Sequence, residues 1–469
     1  MVRVAVIGAG FSGIGVTSQL LTAGITDVTV FEKGGDVGGV WRENTYPGAA
    51  CDVVSHLYSF SFAPQGWWSK RFAEQPEILA YLRRTADELG VTPLVRFGTE
   101  VRRCDWDDER HVWDLHEHGE FDVVITACGQ LSRPAVPKLA GSFDGPLFHS
   151  AEWDHGVELA GKRVLVVGTG ASAIQFVPEV AKVAAHVTVL QRSAPWIVPK
   201  ADRVYSDRAK RLFREKPLVL KADRLKNFVT NELRSLGFNT YPPLMKTYEL
   251  SARRRIAKEL PPDKAARALP DYPLGCKRIL QTNDWYPALA KDHVDLVTTP
   301  LQELVPDGAL LADGRKVEAD VVILGTGFTA TDLLVPMEIS ARGRTLAQAW
   351  SHGAEAYLGT AVAGFPNLFL MYGPNTNLGH NSIILMLESQ IRWIVAAVLR
   401  GGTVEVRADA MRRYNERLQE RLGHTIFAAG CDSWYFTPEG RNTQNWPGTT
   451  LEYRLRTRRL READLEVHA

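Results

Sequence analysis

Residues 2–13 read VRVAVIGAGFSG, an apolar run followed by Gly8, Gly10 and Gly13 at the spacing GxGxxG. An unbroken Val/Ile run suits a strand buried on both faces, and the glycines suit a tight turn into a helix whose N-terminus faces a pyrophosphate. Phe11 and Ser12 fill the rest of the turn. Nineteen residues beyond Gly13, Glu32 closes a second apolar run, VTVFE at 28–32. A carboxylate there can accept both hydroxyls of an adenosine ribose.

Two further stretches repeat the design, KRVLVVGTGASA at 162–173 and ADVVILGTGF at 319–328. In the first of these, Gly168, Thr169, Gly170, Ala171, Ser172 and Ala173 form the turn, with a small Ala173 where close helix-to-strand packing demands it. Its ribose position, again 19 residues on, is Arg192 in VTVLQR. A guanidinium binds the 2′-phosphate that a carboxylate would repel, so this site favours NADP over NAD, with Ser193 as a further donor. One acid-marked and one Arg-marked site point to a flavoprotein reduced by NADPH. The 319–328 stretch reads as a return strand completing the flavin domain, with Asp320 before it and Gly325, Thr326 and Gly327 near the flavin.

The rest of the chain is consistent with this. Its 469 residues suggest about three domains. With 55 Lys+Arg against 54 Asp+Glu the formal charge is +1, so no global field favours nucleic acid or an anionic partner. Small molecules become the expected ligands. Five scattered cysteines, without CxxC spacing, indicate neither a disulfide framework nor a metal site, and so a reducing compartment. No apolar run approaches the ~20 residues of a membrane span, and the expected location is the cytoplasm.

The fold class expected is α/β, with two Rossmann-like dinucleotide-binding domains, for FAD and NADP, and a helical insertion. The FAD domain takes 1–137 and 319–469, the NADP domain 138–200 and 271–318. Between them, 201–270 carries 17 basic and 8 acidic residues and no strand-like run. A solvated helical surface is its plain reading, and steering of an anionic cofactor the alternative.

Two longer patterns narrow the class. FDGPLFHSAEWD at 143–154 carries Phe143, Gly145, His149, Trp153 and Asp154 in the order FxGxxxHxxxW[P/D]. GGVWRENTYPGAACD at 38–52 matches [AG]GxWxxxx[FY]P[GM]xxxD. On both, the chain resembles the class B flavoprotein monooxygenases of the Baeyer–Villiger type, and in particular their shorter members related to aryl-ketone oxygenases. N- and S-oxygenating relatives usually carry Phe or Tyr where Trp153 stands, which tilts the reading toward ketones.

The resemblance implies tightly bound FAD, NADPH, O2 and a small-molecule ketone. NADPH would reduce FAD, the reduced flavin would add O2 at C4a, and the peroxide would attack the ketone to give an ester or lactone. It also implies residue roles. Arg278, in GCKR, matches the catalytic arginine, a group that stays protonated throughout the cycle. Lys277 resembles the lysine that reaches the NADP 2′-phosphate. Asp52 would stand beside the flavin and hold Arg278, acting in positioning because a second anion opposes a peroxide anion. Gly39, Val40, Trp41, Tyr58, Val101 and Gln130 are expected flavin neighbours, and Tyr435 and Trp446 are expected to shape the substrate pocket. His149 is expected at a hinge entering the NADP domain. The competing readings are an N- or S-oxygenating flavin-containing monooxygenase, an NADPH oxidase and a non-catalytic flavin-binding module.

Overall fold

The computed structural model describes residues 2–468. The first apolar run forms β1 (Val4–Ile7), every residue of which is buried, and the glycine turn feeds α1 (Phe11–Thr22). The chain returns through β2 (Val28–Phe31), β3 (Val95–Arg96) and β4 (Val123–Thr126). A second unit then begins with β5 (Leu147–His149), β6 (Arg163–Val167), α2 (Ala173–Val180) and β7 (His186–Leu190). It is interrupted by a helical stretch dominated by α3 (Pro217–Ser235) and flanked by helices Asp207–Glu215 and Met245–Glu259. Two strands follow, β8 (Val294–Val297) and β9 (Val321–Leu324), before the chain comes back to the first unit with β10 (Leu368–Leu370), α4 (Ile383–Arg400) and α5 (Thr450–Arg456).

Among the described residues, two of the five-stranded sheets are wholly parallel. The first has the order β10-β4-β1-β2-β3, all parallel, with Val4 opposite both Val28 and Val123 and Leu368 opposite Val124. The second has the order β8-β7-β6-β9-β5, also parallel. Helices cover the sheets, as strands apolar on both faces require. α1 and α4 share one core over the first sheet, where Phe11 and Ile14 meet Leu387, Ile391 and Ile394.

This topology corrects one expectation. The run at 321–324 does not complete the flavin-side sheet; β9 pairs with β6, Val321 opposite Val164, in the second sheet. The second unit therefore runs past residue 318. The cause is a charge that pins the register: the Asp320 carboxylate accepts the Arg163 backbone N–H (2.8 Å) and meets its guanidinium at 2.7 Å. An apolar run reports that a strand is buried but not which edge it joins.

The helical stretch is fastened to the far end of the chain by Glu232 of α3, which accepts the backbone N–H groups of Thr450 (3.2 Å) and Leu451 (3.3 Å) at the start of α5 and the amide of Asn381 (2.7 Å). Burial resists ionisation of Glu232. His380 and the hydrogen bonds from Thr450, Asn381 and Leu451 nevertheless hold its carboxyl down at about 2. Since that lies below the unfolded value of about 4.3, the group contributes stability at neutral pH that fades as pH falls from about 4 toward 2. Glu232→Gln is expected to destabilise the protein at pH 7 by on the order of 2 kcal/mol. Chemical denaturation at pH 7 and pH 3 checks this, the difference between parent and variant shrinking at the lower pH.

Candidate active site

A cavity of about 1380 Å3 lies at the C-terminal ends of β1 and β6 and is bounded by both glycine turns, the place where open parallel sheets bind ligands. At the first turn Gly8 has φ +109°, and a Cβ on it would lie 2.6 Å from the Ala127 carbonyl oxygen. A Cβ on Gly13 would lie 1.8 Å from the Gly8 carbonyl oxygen. Only hydrogen fits at either place, which leaves the helix N-terminus open to the cavity. Gly13 therefore acts in packing, while Gly8, Gly10, Phe11 and Ser12 line the cavity itself.

Glu32 is buried, its carboxylate held by the N–H groups of Ala9 (2.9 Å) and Gly34 (2.8 Å) and by Arg42 (2.9 Å). Arg42 had no place in the sequence reading, because nothing in a motif's spacing tells which variable position folds back onto the acid. Gly39, Val40, Trp41, Tyr58, Val101 and Gln130 join the same wall. Trp41 donates its indole N–H to the Tyr58 hydroxyl (3.1 Å). Gln130 donates to the Tyr372 carbonyl (3.0 Å) and keeps a buried Oε1 with no partner among the described residues.

The second turn repeats this geometry. Gly168 has φ +110°, with the Gly325 carbonyl oxygen 2.4 Å from a would-be Cβ, and Thr169, Gly170, Ala171 and Ser172 face the cavity. Ala173 packs inward, its Cβ close against Gly325. Thr326 and Gly327 line the cavity where the chain crosses between the two units, Thr326 donating to the Ala135 carbonyl (2.7 Å). Arg192, Ser193 and Lys277 converge here, with Lys277 Nζ 3.5 Å from Ser193 Oγ and 4.5 Å from the centre of the Tyr272 ring. Burial, and then the neighbouring Arg192, lower the Lys277 pKa against the pull of Asp432.

Between the two ends, Arg278 hydrogen-bonds Asp52 through Nη2. The guanidinium faces the cavity, 41 % of the side chain being accessible. Asp52 raises the Arg278 pKa, so this charge is permanent. Burial opposes ionisation of Asp52, yet Arg278 and, behind it, Lys200 hold the carboxyl below its usual range. Burial also pushes Tyr372 up to about 12, leaving a protonated phenol in the wall that donates to Asn377 Oδ1 (3.0 Å). Lys200 and Tyr372 carried no sequence signal, since each is distant in the chain from the motifs it serves.

The remaining expected residues lie elsewhere. Tyr435 and Trp446 do not line the cavity; both are core residues, 2 % and 1 % exposed, Tyr435 lying behind the wall near enough to act on Arg278, and Trp434 takes the wall position. The alternation of the chain turns Trp434 outward and its neighbour inward. His149 is buried on β5, where Nδ1 accepts the Ala151 N–H (3.1 Å). Phe143, Trp153 and Asp154 are likewise outside the cavity: Trp153 packs on Phe176 at 5.4 Å, and Asp154 accepts the Gly156 N–H. A Cβ on Gly145 would meet the Asp320 carbonyl oxygen at 2.7 Å, so this segment braces β9.

A second correction concerns the cysteines. Cys276 and Cys431 form a disulfide, with Cα atoms 6.2 Å apart and a separation of 155 positions in sequence. No spacing rule finds a pair that only the fold brings together. The bond ties the Lys277–Arg278 segment to the loop carrying Asp432 and Trp434, and the cysteine count no longer argues for a reducing compartment.

The residues present fit an FAD at the first end and an NADP at the second: Gly8 and Gly168 open the two turns where no Cβ fits, Gln130 leaves an acceptor unpaired, and Arg192 and Lys277 form a cationic cradle around Ser193.

Comparison with known proteins agrees with this geometry. The family model described as flavin-binding monooxygenase-like matches residues 1–339. A Baeyer–Villiger monooxygenase of Streptomyces coelicolor is 45 % identical over 480 residues, covering 99 % of this chain and 92 % of the relative. One of Pseudomonas aeruginosa is 44 % identical over 473 residues, covering 98 % and 90 %. Among solved structures, the OTEMO complex with FAD and NADP superposes with a TM-score of 0.89 at 28 % identity, covering 100 % of this chain and 99 % of the other.

Proposed function

Because the chain belongs to the flavin-binding monooxygenase-like family, and within it to the NADPH-dependent Baeyer–Villiger monooxygenases, we propose that Arg278, held by Asp52, is the group that directs its oxygen transfer to a ketone. The observation that carries this reading is the Arg278–Asp52 pair, set in one cavity between the two glycine turns. FAD reduced by NADPH supplies the chemistry, the activation of O2 so that one oxygen atom enters beside a carbonyl and the other leaves as water.

The chain's own residues bind, orient and stabilise. We assign the flavin to the unit containing Glu32 and α1, and NADP to the unit containing α2, with Arg192, Ser193 and Lys277 on its 2′-phosphate. Arg278 presents a fixed positive charge to the negative charge that develops on the substrate carbonyl oxygen as it is attacked. A guanidinium suits this role because it does not surrender its proton in the course of the reaction. Asp52 orients the guanidinium and keeps it paired between turnovers. The Tyr372 phenol stays neutral and spends its one O–H on Asn377 Oδ1, so it adds no second charge beside Arg278. Leu378, Ile384 and Leu387 give the adjoining wall an apolar character that suits a ketone and excludes water. We place the reaction in the cytoplasm on the supply of NADPH alone, against the Cys276–Cys431 disulfide. Among the described residues no helix is long and apolar enough to cross a membrane.

Incubation with NADPH, isotopically labelled O2 and a panel of ketones, amines and thioethers tests the reading. One labelled oxygen in an ester or lactone is expected. Label found only in hydroxylamines or sulfoxides, or released entirely as hydrogen peroxide, would overturn it.

A further inference from the structure

Helix α3 is inverted with respect to ordinary burial. Its protein-facing side carries Leu220, Asn227, Asn231 and Ser235. Its outer side carries Leu218, Leu225, Val229 and Leu233, which are 79, 61, 45 and 63 % exposed. These positions fall at i, i+7, i+11 and i+15, a single line along the helix. The line widens on α5, which Glu232 holds alongside, through the exposed side chains of Leu451 and Leu455. A contiguous apolar stripe of this extent marks an interaction surface.

Charge decides what covers it. Lys221 and Lys226 flank the stripe on α3 and are exposed. On α5 and just past it, Arg454 and Arg458 crowd Arg392, whose pKa burial and these two neighbours lower against the pull of Glu388. The acids of α3 are already partnered: Asp223 is bound to His56 Nδ1 (2.7 Å), and Glu232 to the start of α5 and Asn381. A second copy of the chain is a poor occupant, because a two-fold interface would set the same lysines and arginines against one another. The surface asks for a partner that is apolar in its depth and anionic at its margin.

We propose that α3 and α5 form a peripheral docking surface for a bilayer containing anionic phospholipid. Leu218, Leu225, Val229, Leu233 and Leu451 enter the boundary between headgroups and acyl chains, while the flanking Lys and Arg side chains meet lipid phosphates. The attachment is to one face of the membrane. It brings the bilayer close to the cavity, since Asn381 in the cavity wall is hydrogen-bonded to Glu232 of α3 (2.7 Å).

Vesicle flotation of the FAD-loaded full chain provides the test, with phosphatidylcholine alone and phosphatidylcholine mixed with phosphatidylglycerol. The parent is expected to float with the mixed vesicles, weakly with phosphatidylcholine, and to be released by salt. The double variant Leu225→Glu/Leu233→Glu should lower the floated fraction at least about tenfold, with FAD content and NADPH oxidation in solution unchanged, because neither residue touches the cavity. Lys226→Ser/Arg454→Ser should reduce binding and flatten its salt dependence. The proposal fails if the parent does not bind the mixed vesicles, or if the Leu→Glu pair binds as the parent does. A parent that is dimeric in solution and becomes monomeric in the Leu→Glu variant would assign the stripe to a second copy instead, and retention by an acidic protein without vesicle binding would assign it to that.

Discussion

Arg278→Ala is expected to retain FAD and fold normally yet to lose ester formation by about a hundred- to a thousandfold in kcat, the magnitude that follows when a preorganised stabiliser of developing negative charge is removed from an enclosed site. The loss has two parts. The positive charge disappears from beside the substrate oxygen, and Asp52 remains without the partner that keeps its carboxyl ionised. Burial then favours its protonated form. Arg278→Lys should recover part of the rate, restoring charge but not the planar fork that Asp52 grips. Product analysis by gas chromatography, with the flavin absorbance spectrum as the check on cofactor binding, gives both readouts. Undiminished ester from the alanine variant would remove Arg278 from the reaction.

Arg192→Ala is expected to raise the KM for NADPH by about 10- to 100-fold, the worth of one charge-assisted hydrogen bond to a phosphate, and to leave the KM for NADH nearly unchanged. Equal changes for the two cofactors would place Arg192 outside the 2′-phosphate site. The pH profile carries a further signature. Burial and the Arg192 charge depress the Lys277 pKa, so the parent's KM for NADPH should climb on the alkaline side, where Lys277 loses its proton, and below the pH at which an ordinary lysine does so. Removing Arg192 relieves one repulsion, and that alkaline limb should move to higher pH even as the whole curve rises. Steady-state kinetics from pH 7 to 10 with both cofactors would reveal the shift.

Local chemistry in this protein was readable from its sequence, and long-range assembly was not. Gly8, Glu32, Gly168 and Arg192 could be assigned positions because a strand, a turn and a helix place residues about 20 apart at a predictable spot, and the structure brings all four to one cavity. The residues that escaped are those whose neighbours arrive from elsewhere in the chain. The edge joined by β9 depends on Asp320 finding Arg163, and the Cys276–Cys431 bond on a fold that closes 155 residues. Lys200 acts on Asp52 through its charge, though the two are far apart in the sequence. Tyr435 and Trp434 differ by one position, and their spacing in the sequence says nothing about which of them faces inward. The apolar residues of α3 have a regular helical period, but a period does not tell whether the face it marks is the inner or the outer one.

The pairing of β10 with β4 sets the order in which this chain can be made. Leu368 lies opposite Val124, so the first sheet stays open at one edge until the ribosome has released the whole of the second unit and the helices within it. Through that interval β4 offers unpaired backbone groups to other nascent chains. Domain-by-domain folding from the N-terminus is closed to such a topology, and its many distant contacts make folding slow. Soluble yield on expression should therefore respond to translation rate, temperature and chaperone supply more than to substitutions that merely improve local helix propensity. A fragment ending before residue 368 would lack both β10 and α4, leaving the core beneath α1 without its cover.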